Sequence, residues 1–196
     1  MPEAADFTIR ETAALAGVGK TAVDKAIETE VVRARKGKAR LKGGTTRYLP
    51  ISAIVYFTAI ERSGLGPTLA VKYKRRIFSE IAKGGPTLAA IEFAPGAKLD
   101  VKKLAADRFR AARRYRIARD KHIVANEEIL GGTPVIKGTR MSVYSVLARI
   151  QAGESLDALH RDNPDIPLEA LEAAEIYARA HPLRGKPGGR PWRNAA

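Results

Sequence analysis

Seven basic side chains and no acidic one fall between Val31 and Leu49: Arg33, Arg35, Lys36, Lys38, Arg40, Lys42 and Arg47. On a chain of net charge +14, that density is chemistry for a polyanion, and phosphate is the partner it fits. Lys20, Thr21 and Lys25 add polar side chains on a helical stretch just upstream. Catalytic constellations are not evident. There is no cysteine, hence no disulfide, thiolate metal site or thiol nucleophile. His122, His160 and His181 stand singly, without metal-ligand spacing such as HExxH. No convergent carboxylates are evident, so the expectation is a protein that is not an enzyme and uses no cofactor or metal.

Two glycine-rich runs bear on phosphate chemistry. Ala14 to Thr21, ALAGVGKT, fits the loose pattern of a nucleotide-binding loop. Such a loop follows a buried apolar strand, whereas the residues before this one, FTIRETAALA, read as helical and polar-faced. Gly17 to Lys20 therefore reads as a turn between two helices. The run ILGGTPVIKGTR, Ile129 to Arg140, lacks the Gly-Lys-Ser/Thr ending. It reads as a turn at Gly131-Gly132, an extended piece at Pro134–Lys137 and a second turn at Gly138. Its glycines permit positive φ, and Arg140 is expected to fix the loop by bonding backbone carbonyls or a nearby carboxylate.

The elements that must position these residues follow from periodicity and punctuation. Phe7-Thr8-Ile9 is extended. Helices are expected over 10–16 and 21–30, joined by a glycine turn, which is a helix-turn-helix signature. The basic run 31–49 alternates partly and can fold back at Gly43-Gly44 as a hairpin. A helix then starts at Pro50–Ser52. Further on, the pattern predicts a helix over 68–82, a strand over 88–93 and a long helix over 101–119 capped by Asp100. The apolar stripe of that long helix (Val101, Leu104, Phe109, Ala112, Tyr115) suits a core face or a dimer seam. Its basic residues, Lys102 to Arg119, suit a second phosphate-facing surface or a solvated face. Ser142 and Ser155 lead into two more helices, and Pro167 opens a last one over 168–180.

The expected fold class is mainly α with small β hairpins: two helix-turn-helix-type modules, the first a winged helix, joined by an α/β linker region. The divisions are 1–64, winged helix-turn-helix; 65–122, a linker or dimerisation region with the basic helix; 123–181, a three-helix module; and 182–196, an extended tail. Charge is distributed unevenly. Residues 67–120 hold 14 basic and 5 acidic side chains, while residues 121–180 hold 6 and 9, so the three-helix module is a poor nucleic-acid binder. No stretch has the roughly 18 consecutive apolar residues of a membrane helix, and the first residues, MPEAADFTIRE, lack a secretory signal's apolar segment. A cytoplasmic protein without membrane association is expected.

The order strand, helix, turn, helix, basic hairpin, helix resembles the DNA-binding domains of the MerR and excisionase group. ILGGTPVIKGTRMSV, ARIQAGESLDAL and RDNPDIPLEALEAAEIYA together resemble a small domain-of-unknown-function family of bacterial antitoxins partnered with PIN-like toxins. The pattern runs through Gly131, Gly132, Pro134, Gly138, Thr139 and Arg140 to Tyr177-Ala178, and departs from it at Asn163, where an aromatic residue is common. The whole resembles the longer VapB-like antitoxins that carry their own DNA-binding domain. The resemblance implies neutralisation of a PIN-like ribonuclease toxin and repression of the chain's own operon on double-stranded operator DNA. In a winged helix-turn-helix, Lys20, Thr21, Lys25 and the seven basic residues of the hairpin would face that DNA. A homodimer is expected from the symmetry of operators. Arg184, Lys186, Arg190, Trp192 and Arg193, in a tail rich in proline and glycine, are the candidate toxin-binding residues. The alternative is a stand-alone transcriptional regulator, or an excisionase-like protein, with no toxin partner.

Overall fold

The computed structural model describes residues 7–39, 44–85 and 90–183. The chain is mainly α-helical with small antiparallel sheets, as the sequence pattern predicts. Strand β1 (Phe7–Thr8) runs into helix α1 (Ile9–Ala16). The Thr8 hydroxyl accepts from the Glu11 N–H at 3.2 Å and the Glu11 carboxylate accepts from the Thr8 N–H at 2.7 Å. This reciprocal cap satisfies two donors that the first helical turn leaves open. Gly17, at φ 73°, ends α1 in the left-handed region, and α2 (Lys20–Glu28) follows. It stops two residues before the expected end because Glu30 itself turns left-handed, φ 55°.

Strands β2 (Arg35–Lys38) and β3 (Thr45–Leu49) form the expected hairpin, with Arg35 opposite Tyr48 and Lys38 opposite Thr45. β1 pairs on the other side of β3, giving the order β1-β3-β2. Helix α3 (Ile51–Arg62) follows, and everything from Ile51 to Ile60 is buried. A helix apolar all round has to be interior, and α3 is packed by α1, α4 and α5.

Helix α4 (Val71–Gly84) begins later than expected and buries Ile77 and Ile81, with Phe78 edge-on to Tyr56 at 5.7 Å. Strands β4 (Ile91–Ala94) and β5 (Ala97–Leu99) make a hairpin; residues 88 and 89 of the expected strand lie outside the described residues. Helix α5 (Val101–His122) is capped by Asp100, which accepts from the Lys103 N–H at 2.9 Å. It runs three residues further than expected, up to the strand pair β6 (Ile123–Val124) and β7 (Val135–Ile136). Helices α6 (Val143–Gln151), α7 (Leu156–Asp162) and α8 (Leu168–Ala180) complete the chain, the first two capped by Ser142 and Ser155.

The apolar stripe of α5 is a core face. Val101, Ala105, Ala112 and Tyr115 are buried, and the helix packs on α3 on one side and α8 on the other. The dimer-seam alternative for that stripe is thereby removed. α8 buries Ala170, Ala173, Ala174 and Ala178, small side chains that let it lie against α5, α6 and α1 together. The buried residues from Phe7 to Ala178 form one continuous cluster, so the first helix-turn-helix and the last three helices share a core.

Candidate nucleic-acid interface and the junction behind it

The hairpin and the start of α2 carry the charge anticipated from the sequence. Arg33, Arg35, Lys36, Lys38 and Arg47 are all exposed, and none has an acidic partner among the described residues. The pleat sends alternate side chains to opposite faces. Lys36 and Lys38 therefore share a face, and Lys36 stands directly opposite Arg47 across the ladder. Like charges facing each other in a sheet are unfavourable in water and become favourable when an anion lies between them. The hairpin is braced from its other face. Tyr48 is buried and donates its hydroxyl to the Lys38 carbonyl at 2.9 Å. Its ring lies over Gly37, where an added Cβ would come within 3.1 Å of it. Arg40 and Lys42 lie outside the described residues.

Lys20, Thr21 and Lys25 are exposed on α2, but Lys20 is ion-paired to Asp24 one turn on, a partial neutralisation that spacing alone did not show. The far end of α2 is held by Arg75 of α4, which donates to the Thr29 carbonyl at 2.7 and 3.3 Å. A cation at a helix C-terminus also complements the dipole.

Behind α1 lies a buried ion pair. Glu11 is 2% exposed and Arg119 of α5 is 3% exposed, and they meet at 2.9 Å. The Tyr115 hydroxyl donates to the same Glu11 oxygen at 2.7 Å. Arg119 also pairs with Asp120 at 2.9 Å and stands over the rings of Phe7 and Tyr115 at 5.6 and 5.4 Å. Burial raises the Glu11 pKa, yet the charges of Arg119 and His181 and the hydrogen bonds from Thr8 and Tyr115 outweigh it and hold the carboxyl below the usual carboxylate value. Burial lowers the Arg119 pKa and the carboxylates of Glu11 and Asp120 more than restore it. Arg119, read with the other basic residues of this helix as facing phosphate or solvent, is instead interior. Its place had a signal: Tyr115 and Arg119 are four apart, on the same stripe that buries Val101, Ala105 and Ala112.

His181 closes the junction. The Tyr177 carbonyl can only accept, so Nδ1 of His181 carries the hydrogen and donates to it at 3.1 Å. Nε2 is left to accept from the Thr8 hydroxyl at 3.4 Å. Burial, with smaller pushes from Arg10 and Arg119, depresses the imidazole pKa against the pull of Glu11. The unfolded chain takes up this proton near 6.5 while the folded chain refuses it, so stability is full above 6.5 and declines as pH falls below it. Glu11 adds a second loss below 4.5, as pH falls through its depressed folded value. Thermal melts carried from pH 8 to well below pH 4 are expected to show both declines, and His181→Asn to remove the first. A first decline that persists in this variant would refute the assignment.

In the motif Gly131 to Arg140, Gly131, Gly132 and Gly138 have φ of 60°, 77° and 79°, the left-handed turns expected of them. Pro134 is buried and its carbonyl accepts from the Val143 N–H at 3.0 Å. Arg140 does not fix the loop: it is exposed and has no partner among the described residues. Thr139 takes that part, donating to the Ile136 carbonyl at 2.8 Å and accepting from the Met141 N–H at 3.0 Å. The turn at Gly138 points Thr139 inward and leaves its neighbour in water.

No group of three or more His, Asp or Glu side chains among the described residues is placed to hold a metal ion, and no helix among them is long and apolar enough to cross a membrane. Arg184, Lys186, Arg190, Trp192 and Arg193 lie outside the described residues. The chain is similar, at 43% identity over 49 residues, to "Uncharacterized protein y4eO" of Sinorhizobium fredii (strain NBRC 101917 / NGR234), covering 25% of this chain and 22% of that one. It aligns with the X-ray crystal structure of Rv2018 from Mycobacterium tuberculosis over 89% of this chain and 97% of that one, at 14% identity and a TM-score of 0.36. Residues 123–178, which begin at β6 and end within α8, match the model of the family described as a protein of unknown function, DUF433.

Proposed function

We propose that this chain is a DNA-binding antitoxin that represses its own operon and neutralises a PIN-like ribonuclease toxin, acting in the cytoplasm as a homodimer and without enzymatic activity. The observation that carries the DNA-binding part is the wing. Lys36, Lys38 and Arg47 are gathered on one face of a braced hairpin with no acid among the described residues to neutralise them, next to a helix-turn-helix whose second helix presents Thr21 and Lys25. In a winged helix-turn-helix, α2 enters the major groove and the hairpin follows the phosphates. The toxin-binding part draws on the resemblance of the Gly131–Ala178 motifs to the antitoxin pattern, within residues that match a family of unknown function, DUF433, and on the basic, tryptophan-bearing tail 182–196, which suits an acidic metal-binding cleft.

The test is co-expression with the neighbouring gene, followed by copurification and a gel-shift assay on the upstream DNA. A stable complex with a small nuclease that tightens or releases the shifted band is the expected result. A shift with no copurifying partner would favour the stand-alone regulator, and absence of any shift would overturn the reading. Deleting residues 182–196 should abolish protection from the toxin while leaving the shift.

A further inference from the structure

A groove of about 810 Å³ opens between the first helix-turn-helix and the last three helices. Its walls are rings: Tyr48 from β3, Tyr144 from α6, Tyr177 from α8, and His181, which stacks on Tyr177 at a centroid distance of 4.3 Å. Ile9 and Pro134 add apolar surface. Five charged residues line it, and four are already committed: Glu11, Arg119 and Asp120 to one another, and Lys20 to Asp24. The fifth, Arg10, makes no hydrogen bond or ion pair among the described residues. The Tyr144 hydroxyl is spent on the His181 carbonyl at 2.9 Å and the Tyr48 hydroxyl on Lys38. The Tyr177 hydroxyl has no hydrogen-bond partner among the described residues.

We infer that this groove is a binding site for a small planar aromatic monoanion, its ring between the tyrosines and its acid group on Arg10 and the Tyr177 hydroxyl. Three observations converge. The volume lies in the range of about 300–1,000 Å³ typical of small-molecule sites, which favour junctions between structural units. The lining pairs aromatic faces with one uncommitted cation and one uncommitted donor, which is the complement of an aromatic ring bearing a single negative charge. Burial also raises the pKa of the Tyr177 phenol, keeping it a donor throughout the neutral range. The occupant would touch α1, the first residue of α2 and the hairpin residue Thr46 on one side, and α6 and α8 on the other, so it would be felt by both halves of the chain.

The test uses the full chain and 8-anilinonaphthalene-1-sulfonate, an aromatic monoanion whose emission rises on binding, with no DNA or partner present, so that its outcome is independent of the proposed function. Saturable binding accompanied by a raised melting temperature is expected. Arg10→Ala, which removes a charged donor, should weaken binding by about tenfold or more, and Tyr177→Phe, which removes a neutral one, by about two- to tenfold. The uncharged analogue N-phenyl-1-naphthylamine should bind at least about tenfold more weakly than the sulfonate, having no acid group for Arg10. Ile117→Asp, on the separate shallow groove between α5 and α8, should change nothing. Unchanged affinity in both Arg10→Ala and Tyr177→Phe, equal affinity for the neutral analogue, or loss of binding in Ile117→Asp would each overturn the assignment.

Discussion

Arg119→Ala is expected to destabilise the folded chain by about 3–5 kcal/mol, because it leaves the Glu11 carboxylate buried without its counter-charge. Glu11→Ala should cost less, because the Arg119 guanidinium keeps Asp120 as its counter-charge. The double variant Glu11→Leu with Arg119→Met should recover most of the loss, since a buried pair replaced by apolar side chains of similar size is often neutral. Urea denaturation of the four proteins checks this through their midpoints. A double variant no more stable than Arg119→Ala would mean that the two residues do not act as a pair. The contrast is Arg62 of α3 and Asp107 of α5. They are bonded twice, at 2.7 and 2.8 Å, and the carboxyl pKa falls to about 2, first through the arginine's hydrogen bonds. Both side chains stand largely in water, so Arg62→Ala should cost only about 0.2–1 kcal/mol from that pair.

Replacing Lys36, Lys38 and Arg47 together by alanine is expected to reduce the salt dependence of DNA binding. Each phosphate contact contributes about −0.9 to the slope of log Kobs against log salt, so the triple variant should lose about 2.7 from the slope. The loss should be nearly equal for operator and unrelated duplexes, because phosphate contacts position without reading sequence. Fluorescence anisotropy between 50 and 200 mM salt would measure it, those limits being about where such effects are large. Arg161→Ala, an exposed cation of α7 in the net acidic three-helix stretch, is the control and should leave the slope in place. An unchanged slope in the triple variant would place the DNA elsewhere.

Local chemistry was readable where it is local. Asp100, Ser142 and Ser155 each announce a helix start and each caps one. The glycines at 131, 132 and 138 announce left-handed turns and make them. The ten-residue run Ile51–Ile60 is apolar but for the hydroxyls of Ser52, Tyr56 and Thr58, and is interior on every side. What could not be read was the partner of each buried face. Periodicity marks the stripe of α5 that leaves water, but a pairing between residues 11 and 119 depends on how α1, α5 and α8 are stacked, which no window of sequence contains. The same holds for the ringed groove, assembled from residues as far apart as Thr8 and Leu183. Arg140 erred the other way. Its place in a glycine turn suggested a structural bond, and the direction of the turn gave that bond to Thr139.

The shared junction also limits how the N-terminal helices and hairpin can be exchanged. Its first helix keeps its only buried carboxylate satisfied by Tyr115 and Arg119, more than a hundred residues downstream. A chimera that grafts residues 1–64 onto a foreign scaffold would carry Glu11 without either, and would have to protonate that carboxylate or hydrate a site built to be dry. A transplant that includes α5, or that changes Glu11 to an apolar residue, avoids that cost. The boundary at which the protein can be recombined is therefore set by an ion pair in space and not by the glycine-rich break at Gly64 to Pro67.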